Sequence, residues 1–207
     1  MEFNKIIGRE IPSGWKVENL YKNSLAEIIK PKIDKFDGEK VYLDTSTVND
    51  LQISSGEKIT YENRASRANM QPVSNSIWFA KMQNSTKHVI VGRWSKDIIN
   101  ETVLSTGFMG LKVADYALSY VAGFIRTPYF ELTKNNIAHG ATMSGIGNDD
   151  MKFIKLIIPM DNILQKYTKA VEPLFEQIDQ NRQENQHLAE LRDWLLPMLM
   201  NGQVEVI

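Results

Sequence analysis

The chain has 207 residues, no cysteine, and 24 Lys plus Arg against 25 Asp plus Glu, a net charge of −1. With 43% hydrophobic and 9% aromatic residues, it is long and apolar enough for one ordinary domain plus an appendage, and it is not a disordered chain. The lack of cysteine excludes disulfides, thiolate metal sites and a cysteine nucleophile. No stretch reaches the roughly 20 apolar residues of a membrane span. The opening MEFNKIIGRE has no apolar signal core, so the expected compartment is the cytoplasm.

In chain order, residues 1–160 are short apolar runs broken by Gly, Pro, Asn, Asp and Ser. VYLDTSTV (41–48), SIWFAKM (76–82), KHVIVGRW (87–94) and GLKVA (110–114) are rich in β-branched and aromatic residues and predict strands. In 118–135, Leu118, Val121, Ala122, Ile125 and Tyr129 fall at helical spacing, with Pro128 as a kink or boundary. FIKLIIPM (153–160) predicts a last strand. The fold class is α+β (mixed α/β): a globular domain followed by a long C-terminal coiled-coil-type helix. Trp15 and Trp78 are expected in the core. The S-T-G-F segment (105–108) is expected to form a structural turn near it.

From Asp161, a plausible N-cap, to Gly202, a natural stop, no glycine interrupts the chain. A heptad register runs through Val171, Leu174, Ile178, Asn181, Asn185, Leu188, Arg192, Leu195 and Leu199. This predicts one long helix, or two in series with Pro173 in the first turn of the second. A helix of about 25 residues from Pro173 to Pro197 is roughly 38 Å long and cannot bury an apolar stripe against itself. Val171, Leu174, Ile178, Asn181, Asn185, Leu188, Leu195 and Leu199 are therefore the candidate dimer or helix-packing residues. The other reading places the two Asn in solvent, with the helix lying on its own domain. The expected layout is a domain at 1–160 and a helical region at 161–207.

Catalytic patterns are missing from the sequence. There is no phosphate loop of the G-x-x-x-x-G-K-[ST] type, no G-x-S-x-G elbow, and no Asn/Asp-Pro-Pro-aromatic motif of an adenine methyltransferase. His88, His139 and His187 have no metal-ligand spacing. GIGNDD (145–150) lacks the third glycine of a dinucleotide fingerprint and reads as a tight turn. No cofactor and no metal are expected, and the chain is read as a non-catalytic binding protein.

The charge is unevenly spread. Residues 1–160 carry 20 basic and 17 acidic residues, residues 161–207 carry 4 and 8, and within 51–100 the count is 7 to 3. Charge alone would fit an ordinary solvated surface. Within that window, however, Arg64, Arg67, Asn69 and Gln71 lie among small residues, and Lys87, His88, Arg93 and Lys96 surround Trp94. Arg reads guanine bidentately, Asn or Gln reads adenine, and Lys and Arg neutralise phosphate. These eight are the candidate DNA-binding residues.

The order of the pieces adds to this. IPSGW (11–15), SLAEIIK (24–30), YLDTSTV (42–48), NRASRANMQPVSNSIWFAKM (63–82), LSTGFMGLKV (104–113), ATMSGIGNDDMKFIKLIIPM (141–160) and HLAELRDWLLPMLMNGQVEV (187–206) follow one another. This succession resembles one half of the DNA-specificity subunit of type I restriction-modification systems, over essentially the whole chain. The resemblance implies a target-recognition domain and a spacer helix that read one half of a bipartite site in double-stranded DNA. It also implies recruitment of methyltransferase and restriction subunits, which hold the catalysis. With one unit in place of two, the chain is a natural half-subunit, expected to form a homodimer, or a piece of a longer subunit. LRDWLLP is read as helix packing, with a methyltransferase contact as a further role. The alternative is a protein-interaction adaptor with a coiled-coil arm that touches no DNA.

Overall fold

The computed structural model describes residues 1–54, 56–140 and 144–202. Its centre is a four-stranded antiparallel sheet in the order His88–Val91, Ser76–Ala80, Phe108–Val113, Ala26–Ile29. Every residue of Ser76–Ala80 is buried, because the sheet is covered on both faces. Ile77 and Phe79 point to one face, among Met109, Leu111, Val121, Ile125 and Phe130. Trp78 and Ala80 point to the other, among Leu43, Val89, Leu104 and Phe108. Alternation of side chains along a strand produces this division, and burial of both faces is why the strand reads as an unbroken apolar run. Gly110 sits opposite Trp78 in the ladder; a Cβ there would lie 2.6 Å from the indole, so only glycine lets the ring lie flat on the neighbouring strand.

The second face is closed by a mixed sheet, Glu57–Ile59, Lys40–Leu43, Thr102–Ser105, Ala68–Met70, in which Lys40–Leu43 and Thr102–Ser105 run parallel. The first face is closed by three helices: α2 (Leu118–Ile125), α3 (Pro128–Ile137) and the start of α4 (Asp161–Met200), all following the short α1 (Lys96–Glu101). Lys155–Ile158 returns to pair with Lys16–Asn19 and ties the end of the body to its beginning.

The structure moves several sequence-derived boundaries. VYLDTSTV is not one strand: it stops at Leu43, where the Asp44 carboxylate accepts from Ser46 N at 2.7 Å and Thr47 N at 3.1 Å and turns the chain. The run at 118–135 is two helices, with Thr127 as N-cap accepting from Phe130 N and Pro128 in the first turn. Met160, in extended backbone, holds the cap position of α4, and Asp161 is its first residue, where its charge suits the helix N-terminus. α4 is one helix of 40 residues with Pro173 and Pro197 inside it, not two in series. It ends at Gly202, in left-handed backbone at φ +66°. Trp78 is fully buried, but Trp15 is only half-buried, on the edge beside the small hairpin Glu2–Asn4/Arg9–Ile11. The last five residues of the expected helical region, 203–207, lie outside the described residues.

Candidate nucleic-acid interface

Two loops meet at one end of the central sheets: Asp44–Thr47 and the turn Ser105–Gly107. Ser105 and Phe108 are buried and anchor that turn. Three basic side chains converge on the two loops. Arg67 comes from the residue before strand Ala68–Met70; its carbonyl accepts from Thr106 N at 2.9 Å. Its guanidinium and the Thr45 methyl both crowd Gly107, at 3.2 and 3.3 Å from where a Cβ would stand. Lys81, directly after strand Ser76–Ala80, donates its Nζ to Thr106 O at 2.7 Å. Lys87, directly before strand His88–Val91, donates its Nζ to Thr45 O.

This rim is cationic because little opposes it. Burial, then the charges of Lys30 and Arg67, hold the Lys81 ammonium below the usual lysine range. Asp44 is the neighbouring acid. Burial raises its pKa, but the hydrogen bonds from Ser46 and Thr47, with the Arg67 charge, outweigh that and leave it lowered. Its oxygens are thus occupied by the turn it holds. Like charges held together in a partly dehydrated rim are relieved by an external anion, and a phosphate backbone supplies one.

The eight sequence-derived residues do not form one patch. Arg67 and Lys87 meet at the rim, and Arg64 lies three residues from Arg67, stacked 3.9 Å over the Tyr61 ring and donating to its carbonyl. Asn69 is half-buried in its strand. Gln71 faces inward, its amide donating to Ile99 O at 2.7 Å and Pro72 O at 3.0 Å. His88 is 2% exposed and lies between Asp50 (3.4 Å) and Glu131 (3.5 Å). Arg93 pairs with Glu172 of α4 at 3.1 Å, and exposed Lys96 opens α1 on that same flank. Lys81 was missed from sequence. Its only local signal is a lysine directly after a fully buried strand, and its partners at 67 and 106 become neighbours only through the fold.

No protein-family model matches the chain. A 67-residue segment, 32% of the chain, is 39% identical to the type I restriction enzyme MjaIX specificity subunit of Methanocaldococcus jannaschii. An 81-residue segment, 39% of the chain, is 31% identical to the HindI specificity subunit of Haemophilus influenzae. The fold superposes on the crystal structure of the HsdS subunit from Thermoanaerobacter tengcongensis with a TM-score of 0.58 at 18% identity, covering 90% of this chain. The chain is thus similar in segments of sequence, and over most of its length in fold, to type I restriction specificity subunits. The matched segments span 16% and 18% of the two sequence relatives, and the chain spans about half of the solved specificity subunit, 48% of it. The S subunit from M. genitalium shows the same half-length relation, with 47% of it covered at a TM-score of 0.51 and 15% identity.

In this chain α4 divides into two parts. Leu164, Thr168, Phe175, Asp179 and Arg182 pack on the body. Beyond residue 183 the helix is an exposed arm. Of the expected packing residues, Leu174, Ile178, Leu188 and Leu199 are exposed, Val171 and Leu195 are half-buried, and Asn181 and Asn185 are exposed midway. Among the described residues no group of three His, Asp or Glu is placed to hold a metal ion, and no helix is long and apolar enough to cross a membrane.

Proposed function

We propose that residues 1–160 are a target-recognition domain that binds double-stranded DNA and reads one half of a bipartite site, with 161–207 as the spacer and assembly region. The observation that carries this reading is the rim of Arg67, Lys81 and Lys87, its two lysines held by backbone carbonyls, on a fold similar to solved specificity subunits. Arg64 and Asn69 flank the rim and are the side chains proposed to approach base edges. The chemistry on DNA belongs to methyltransferase and restriction subunits recruited by this chain. A second copy, or a second half of a longer subunit, completes the bipartite site.

Binding to a duplex pool should fall steeply with salt, by roughly 0.9 log units of affinity per log unit of salt for each phosphate neutralised. Co-expression with a type I methyltransferase subunit should then place methylated adenines at one recurring sequence. Salt-independent binding, or methylation without a recurring sequence, would reject the reading. The exposed apolar arm favours a second reading, a pure assembly adaptor, which predicts partner capture with no affinity for DNA.

A further inference from the structure

One groove of the body shares no residue with the cationic rim. It holds about 340 Å³ between the turn of the Glu2–Asn4/Arg9–Ile11 hairpin, strand Lys155–Ile158 and the junction of α2 with α3. The strand pairs on one side only, with Lys16–Asn19. Leu156 and Ile158 are buried, so alternation turns Lys155 and Ile157 outward, into the groove. Along the open edge the backbone is already engaged. Lys155 N donates to Tyr129 Oη at 3.3 Å, and Ile157 O accepts from Tyr120 Oη at 2.7 Å. Burial, and then the neighbouring Tyr167 phenol, push the Tyr120 phenol up to about 12, so it stays an uncharged donor at neutral pH. An added strand would have to displace both hydroxyls, so the groove is open to side chains rather than to backbone pairing.

What it offers side chains is an apolar wall with positive charge. Phe124 and Tyr129 lie with ring centroids 6.0 Å apart, and Ile7 and Ile157 complete the wall. Arg9 and Lys155 are the charged side chains that line it, and among the described residues no acid does. Lys155 Nζ has only a carbonyl partner, Lys152 O at 2.9 Å, and Arg9 is exposed on its hairpin. The same composition continues past the groove. Leu132, one turn along α3 from Tyr129, is exposed, and so is Phe153, whose ring lies 5.2 Å from the Lys152 ammonium. An apolar surface that runs on beyond its own groove is more than a small acid covers, and it suits a protein segment.

We propose that this groove docks an acidic segment of a partner protein, anchored by one large apolar side chain. The anchor lies against Phe124, Tyr129 and Ile157, and carboxylates beside it meet Arg9 and Lys155. The sign of the charge selects the partner. A basic segment is repelled by both cations, and a neutral one leaves them without a counter-charge. A phosphate backbone would satisfy the cations but would set a charged chain against the apolar wall. The inference uses no rim residue and no part of the free arm of α4, and it stands apart from the DNA reading.

The probe is the acetylated, amidated peptide EEFLEE, with KKFLKK and EEGGEE as controls. Added to the full chain labelled at its isoleucine methyl groups, EEFLEE should shift the Ile7 and Ile157 resonances and bind at least about tenfold more tightly than either control. Arg9→Glu/Lys155→Glu should reverse the order, so that KKFLKK binds better than EEFLEE, with the urea midpoint nearly in place. Ile7→Asp, in the hairpin turn, should lose EEFLEE as well. Absence of EEFLEE binding at millimolar peptide would overturn the proposal. So would equal binding of EEGGEE, which is charge attraction alone, or an equal response to 4-phenylbutyrate, which is a small-acid pocket. A duplex oligonucleotide that shifts Ile7 and Ile157 in place of the peptide would make the groove a nucleic-acid surface and overturn it too. The rim variant Arg67→Ala/Lys81→Met/Lys87→Ala should bind EEFLEE as the unmodified chain does, so failure of the DNA reading and failure of this one are distinguishable.

Discussion

The rim and the flank beneath α4 are both rich in charge, and they handle it in opposite ways. On the flank, Arg182 lies 2.6 Å from Asp97 and 2.9 Å from Asp179, and Asp179 also accepts from Ser95 Oγ at 3.1 Å. Burial disfavours the guanidinium there, but hydrogen bonds and charges from the two aspartates outweigh it and raise its pKa. At the rim, Lys81 and Lys87 have backbone carbonyls as partners, and Lys81 is pushed down by burial and then by like charge. A paired charge fixes one element against another. A charge held by neutral carbonyls keeps its field for something outside the molecule.

That contrast can be broken or sharpened by substitution. The largest expected effect is on the flank: Arg182→Met leaves Asp97 and Asp179 without their shared cation and should cost about 3–5 kcal/mol in a urea titration, with the salt slope of DNA binding unchanged. At the rim, Arg67→Ala/Lys81→Met/Lys87→Ala should leave the urea midpoint nearly in place and lower the salt slope by about three. If the flank variant lost the slope and the rim variant kept it, the assignment would be reversed.

Between the two regions lies a buried cluster that sharpens the comparison through pH. Lys134, wholly buried, reaches Glu131 at 2.8 Å and Ser85 O at 2.7 Å. Burial raises the Glu131 pKa, but hydrogen bonds from His88 and Lys134 and their charges outweigh it, so the folded value lies below the ordinary 4.5. A depressed carboxylate stabilises the fold above its ordinary value and loses that stabilisation as pH falls through the folded one. Glu131→Gln should therefore cost about 2 kcal/mol at neutral pH and flatten the acid limb of a pH–stability curve. The smallest effect belongs to Arg93→Ala: the exposed pair with Glu172 should be worth under about 1 kcal/mol.

The central sheet was legible because strands such as Ser76–Ala80 are apolar on both faces, and α4 was legible because heptad spacing is local. Pro128 marked a real helix boundary for the same reason. The polar hexamer Lys96–Glu101 was not legible as a helix, since its one buried residue, Ile98, gives no period. The site was half legible. Arg67 and Lys87 stand out by composition, but whether a polar side chain faces water or the interior depends on what the fold lays over it. Gln71 and His88 look like contact residues in the sequence and are enclosed by α1, α3 and the turn at Asp50. The seam of α4 was visible, but which face of the helix the body covers was not, because that is set by distant contacts, Arg182 with Asp97 and Asp179 with Ser95.

Pro173 deserves a mechanical reading. It has no N–H to give the Lys169 carbonyl, so the helix lacks one axial bond just where it leaves the α2 contact at Tyr167. Phe175, Asp179 and Arg182 hold the next two turns on the body, so the free rod begins after Arg182 and runs about 27 Å to Met200 at 1.5 Å per residue. A lever of that length multiplies small angles: a bend of about 20° at its root, the size at which a helix counts as sharply kinked, carries the tip sideways by about 9 Å, or nearly three base-pair steps of 3.4 Å. The stiffness of one helical turn thus sets how widely the far end of this molecule can range.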